Sequence, residues 1–108
     1  VKWYHASPQH FKPGDVIGRH DLKVYMTCSP EPHFTIYDKA VEENWTVYEV
    51  RPLGRIHEGW WDDAYTIQAE VIRKVGHSRG LANNFKKHFK PGQWKSKKGS
   101  QVLWKRYL

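Results

Sequence analysis

The sequence predicts a small α+β domain. Short runs in which apolar and polar residues alternate, each closed by Pro or Gly, read as strands. Two stretches with apolar residues three and four apart read as helices. The scale fits one core: 108 residues suit one domain, and six Trp, six Tyr and four Phe supply the apolar area to fill it.

Taken in order, Lys2 to Ala6 reads as a short strand that delivers His5 near its end. Pro8 and the pair Pro13-Gly14 make residues 7–15 loop and turn, and Gly18 marks a second flexible point. In the strand from Leu22 to Thr27, Leu22, Val24 and Met26 alternate with Lys23, Tyr25 and Thr27, so Tyr25 points away from the core side. Ser29-Pro30-Glu31 is a helix start, and the helix runs to about Glu43 before Asn44 breaks it. Trp45 to Val50 is a strand with Trp45, Val47 and Glu49 on one face and Thr46, Tyr48 and Val50 on the other.

Residues 55–63 read as an irregular connection rich in acids and aromatics, and Tyr65 to Val75 as one long strand with Tyr65, Ile67, Ala69 and Val71 on one face. Gly76 marks a break. Ser78 then caps a helix with Leu81, Phe85 and Phe89 on one side, and Pro91-Gly92 stops it. Gln101 to Leu108 alternates as a last strand. The whole of 1–108 is one domain, with 76–108 a basic C-terminal extension packed on it.

Charge divides the chain. Residues 1–72 hold seven Lys/Arg against eleven Asp/Glu; residues 73–108 hold eleven Lys/Arg and no acid, giving the net +7. Such a segment is either a solvated tail or a surface for nucleic acid or an acidic protein face. Lys86, Lys87, Lys90, Lys95, Lys97 and Lys98 cluster around the Pro91-Gly92 turn and are the candidate partner-binding residues. The single cysteine, Cys28, leaves no internal disulfide, no apolar run reaches the length of a membrane span, and no signal-peptide pattern opens the chain. These features lead us to expect a cytoplasmic protein with no membrane partner.

Several of these stretches share an order with a known family. Tyr4-His5-Ala6-Ser7, Lys12-Pro13-Gly14-Asp15, Gly18-Arg19, Val24-Tyr25-Met26-Thr27 and Val47-Tyr48-Glu49-Val50-Arg51-Pro52-Leu53-Gly54 together resemble the rifampin ADP-ribosyltransferase family over residues 3–75. The resemblance implies two small antiparallel sheets forming a cleft that holds NAD, and transfer of ADP-ribose from NAD to an acceptor. It implies that His5 holds the ribose next to nicotinamide, that Tyr25 stacks on the nicotinamide ring, and that Ala6, Ser7, Arg19 and Phe34 complete the NAD contacts. It also implies a catalytic acid just after the third strand. Glu58 lies closest to that place, with Asp62 and Asp63 as alternatives. No metal is implied.

The chemistry asks for these groups. Cleavage of the nicotinamide–ribose bond leaves oxocarbenium character on the sugar, so a site must grip ribose hydroxyls, hold the leaving ring and place negative charge nearby. Two departures stand out: Ala6 replaces the family's Gly, and the acidic cluster after Gly54 is replaced by Arg55-Ile56-His57-Glu58. They keep a second reading open, a catalytically inactive protein of the same fold that binds nucleic acid or an acidic partner, or that inhibits by occlusion.

Overall fold

The computed structural model describes residues 1–18, 23–28, 38–58 and 63–88. The described residues form seven strands, β1 (Trp3–Ser7), β2 (Val16–Ile17), β3 (Val24–Thr27), β4 (Thr46–Pro52), β5 (His57–Glu58), β6 (Asp63–Thr66) and β7 (Ala69–His77). Two helices join them, α1 (Asp38–Glu42) and α2 (Ser78–His88). The domain is α+β, as composition and pattern predict. All described strand pairs are antiparallel, and they make one seven-stranded sheet in the order β2-β7-β4-β1-β3-β6-β5. This corrects the expectation of two separate sheets.

The sheet is not flat. In the sheet order β6 and β7 stand four ladder steps apart, about 19 Å at about 4.8 Å per step. Only Ile67 and Gln68 join them, and three Cα steps reach about 11 Å at most. The half β3-β6-β5 therefore folds back over the half β2-β7-β4-β1. The main core fills the fold: Val24, Met26 and Ala64 from one half pack with Trp3, Tyr48, Val50 and Val71 from the other. The halves meet at β1 and β3, where the register is a single pair, Tyr4 with Thr27.

A second core lies on the other face of β1 and β4. Tyr4 and Val47 pack there with Ala40 of α1 and Ala82 of α2. Thr46 through Val50 are all buried, because the main core covers one face of β4 and the helices cover the other. The acid among them, Glu49, accepts a 2.8 Å bond from Arg73 Nε on β7, the pairing a nearly buried carboxylate requires.

The helices are tied by their ends. Asn44 takes the left-handed conformation (φ 52°) just past α1, with Asn44 N–H donating to Val41 O and Trp45 N–H to Ala40 O, a Schellman closure. Asn44 Oδ1 then accepts from Arg79 N–H at the start of α2 (3.1 Å), while the Arg79 guanidinium donates to the Val41 and Glu42 carbonyls. Ser78 is not the cap that its position predicts. It is buried, and both its N–H and its hydroxyl donate to Trp45 O.

Other expectations shift as well. The run from Tyr65 to Val75 is two strands, because the buried set is Ala64 and Thr66, then Ala69 and Val71, and the alternation slips by one residue at Ile67-Gln68. Residues 55–63 are not wholly irregular: His57–Glu58 is a short edge strand, and Asp63 opens β6. Val16–Ile17 pairs with β7 as a strand that the sequence did not signal. Gly76 does not break β7, which runs to His77 opposite Thr46. Residues 29–37, the first part of the expected helix, and the expected strand at 101–108 lie outside the described residues.

Gly18 is fixed by close approach. It has φ +105°, and a Cβ there would press on the Ile67 carbonyl and lie 2.7 Å from Val24 Cγ2, at the corner between β6 and β7. Gly14 has φ +94° and open space around it. Urea unfolding should therefore separate them. Gly14→Ala should lose about 1–2 kcal/mol from the backbone conformation alone, and Gly18→Ala clearly more. Equal losses would show that the corner is loosely packed.

Candidate functional site

Three of the five stretches that carry the resemblance lie side by side, since β4, β1 and β3 are neighbours. Alternation places His5 on the same face as Trp3, turned toward the main core and opposite Tyr48 on β4. At the seam between the halves, His5 Nδ1 lies 2.7 Å from Tyr25 O. A carbonyl only accepts, so Nδ1 carries the hydrogen and the neutral ring keeps Nε2 as an acceptor. Burial lowers the His5 pKa from its ordinary 6.5, and the bond to Tyr25 O opposes that shift without cancelling it. His5 is therefore neutral at pH 7, with its tautomer set by the backbone of the neighbouring strand.

Tyr48 builds the wall beside it. Its ring is buried and meets Phe11 edge-on at 5.4 Å. Its hydroxyl accepts from Phe11 N–H (3.0 Å) and donates to Gln9 O (3.2 Å). Gly14 N–H donates to Val71 O, and Val71 N–H to Asp15 O. The loop after His5 is thus strapped to β4 and β7. Ser7 is buried, and its Oγ accepts from Gln9 N–H at 3.0 Å. Ala6 packs toward the second core, so its methyl points away from the His5 face.

Tyr25 enters this site through its carbonyl. Its ring is 64 % exposed on the opposite face from Val24 and Met26, and hence from His5. Glu58 is paired with Ala64, which belongs to the main core, so register puts Glu58 on the face that His5 occupies. Three ladder steps separate their strands in the sheet order, β1 to β5 by way of β3 and β6. Asp63 sits opposite Thr27, half-buried, and already has an interaction partner. Lys86 and Lys87 lie on α2, with Lys87 exposed. Arg19, Phe34, Asp62, Lys90, Lys95, Lys97 and Lys98 lie outside the described residues.

The sequence reading missed Tyr48, Tyr65 and His57. Tyr65 pairs with Tyr25 and with His57 across β6. That signal is a pairing between distant segments, which one-dimensional periodicity does not contain. Among the described residues no group of three or more His, Cys, Asp or Glu is placed to hold a metal ion, and no helix is long and apolar enough to cross a membrane. No family model, curated protein or solved structure matches the chain.

The His5 environment has a pH consequence. Because the folded state holds the imidazole below its unfolded pKa, the unfolded chain binds a proton first on acidification. Stability from this group is intact above 6.5 and is lost as pH falls from there toward the lowered folded value. His5→Gln keeps a donor for Tyr25 O and removes the titration. Denaturant unfolding from pH 7 to 5 should show a shallower loss of stability in His5→Gln than in the parent; identical slopes would mean that His5 is not buried.

Proposed function

We propose that the chain is a mono-ADP-ribosyltransferase that moves ADP-ribose from NAD to a macromolecular acceptor. The observation that carries this reading is His5, held neutral at the seam by Tyr25 O with Nε2 left as an acceptor. That edge suits a ribose hydroxyl, whose proton it can accept in a hydrogen bond while positive charge develops on the sugar carbon. Glu58, on the same face, is the carboxylate we assign to stabilising that charge and to orienting the acceptor nucleophile. NAD supplies the scissile nicotinamide–ribose bond. The turned-away methyl of Ala6 removes one objection, since it does not crowd the His5 face.

The ring of Tyr25 is left out of this NAD site because it stands on the other face of the sheet. The two-lobed folding of the single sheet supports the family likeness, with the seam between β1 and β3 taking the place of a gap between two sheets. The basic segment beyond residue 73 is assigned to the acceptor, on the strength of its charge.

Calorimetry with NAD and label transfer from NAD into cell extract together test this. NAD affinity should fall at least tenfold in His5→Ala. Glu58→Gln should bind NAD nearly as the parent does but transfer label more slowly by about two orders of magnitude, as expected of a group acting mainly in the transition state. A parent protein that binds no NAD would leave the inactive, binding-only reading in its place. Full transfer by Glu58→Gln, with loss in Asp62→Asn or Asp63→Asn, would move the acid.

A further inference from the structure

The outer face of β3, β6 and β5 carries a row of flat rings that the NAD reading does not use. Tyr25, Tyr65 and His57 are register partners on three adjacent strands. Tyr25 and Tyr65 have ring centroids 6.1 Å apart at 58°, and His57 stacks on Tyr65 at 4.7 Å and 11°. Lys23 holds its ammonium 4.5 Å from the Tyr65 ring centroid. The main core lies on the other side of these strands, through Val24, Met26 and Ala64. The row is therefore not core packing, and Tyr25 keeps 64 % of its surface exposed.

From this arrangement we propose that the Tyr25–Tyr65–His57 row, with Lys23, is a binding platform for single-stranded nucleic acid. The exposed ring of Tyr25 can accept an unpaired base whatever its sequence, the stacked Tyr65–His57 pair extends the flat surface beside it, and a cation next to them meets the phosphates. Lys23 and Arg55, two residues before His57, are both exposed. Of the acids closest in sequence, Glu58 belongs by register to the opposite face, Asp63 shares the face of the rings but is already engaged, and Asp21 and Asp62 lie outside the described residues. An acidic peptide would use the charge but leave the rings idle. A duplex would hide the base faces that the rings need. The proposal holds whether or not the chain transfers ADP-ribose.

The test is anisotropy of labelled oligouridylate and oligothymidylate, without NAD, across a salt series. Both single strands should bind more tightly than a duplex of equal length. Tyr25→Ala and His57→Ala should each weaken binding about 5- to 100-fold with the salt slope unchanged, while Tyr25→Phe binds as the parent does. Lys23→Gln should lower the salt slope by about one. Tyr25 is exposed, so Tyr25→Ala decides the matter even if His57→Ala fails to fold. Parent-level binding by Tyr25→Ala, no binding by the parent, or equal affinity for duplex would overturn the proposal. Displacement by polyglutamate as readily as by unlabelled oligonucleotide would replace the partner with an acidic protein. Because NAD is absent from the assay, failure here leaves the NAD reading to its own calorimetry.

Discussion

Two residues govern the shape of this domain. Ile67 and Gln68 must carry the chain from one half of the sheet to the other, and no flat sheet permits that. Everything near the corner serves the crossing. Gly18 leaves room for the Ile67 carbonyl, and Gln68 O accepts from Leu53 N–H at 2.8 Å, tying the corner to the end of β4. The halves then have only their apolar faces to bury, which is why Trp3, Met26, Tyr48 and Val71 meet although they are far apart in sequence.

The seam between β1 and β3 is a by-product of that fold, and it is where the polar chemistry collects. With one register pair between the strands, backbone carbonyls there are open to side chains, and His5 takes the one at Tyr25. A histidine in a regular ladder would find its neighbour's carbonyl already engaged. On β4, Tyr48 fills the core beside His5 and fastens the loop that follows it. One buried tyrosine thus contributes both apolar area and two otherwise missing backbone partners.

Local chemistry in the sequence was legible, and long-range pairing was not. Alternation in Val24-Tyr25-Met26 placed Tyr25 outward, and alternation in β4 separated Val47 and Glu49 from Thr46, Tyr48 and Val50. Asn44 was readable as a helix stop, though not as the partner of Arg79 35 residues away. The β6–β7 corner was missed because Tyr65 to Val75 alternates without interruption by eye, and only the burial of Ala64, Thr66, Ala69 and Val71 reveals the slip in phase. The two-residue strands β2 and β5 are too short to carry any period. Their existence depends on partners in β7 and β6. At the site, His5 was visible as a residue type near a strand end, whereas its tautomer depends on Tyr25 O, 20 residues along.

The joint between the helices has a dynamic consequence. Asn44 closes α1 with its backbone and caps α2 with its side chain, and Arg79 of α2 returns two bonds to the last carbonyls of α1. Neither helix end can fray without stripping the other of partners, so α1 and α2 should open as one cooperative unit in hydrogen exchange. That unit rests on Val47 of β4 and on Tyr4, the residue before His5 on β1. A load applied to the chain beyond α2 would thus be felt at β1 through a short, stiff linkage of main-chain bonds and packed side chains.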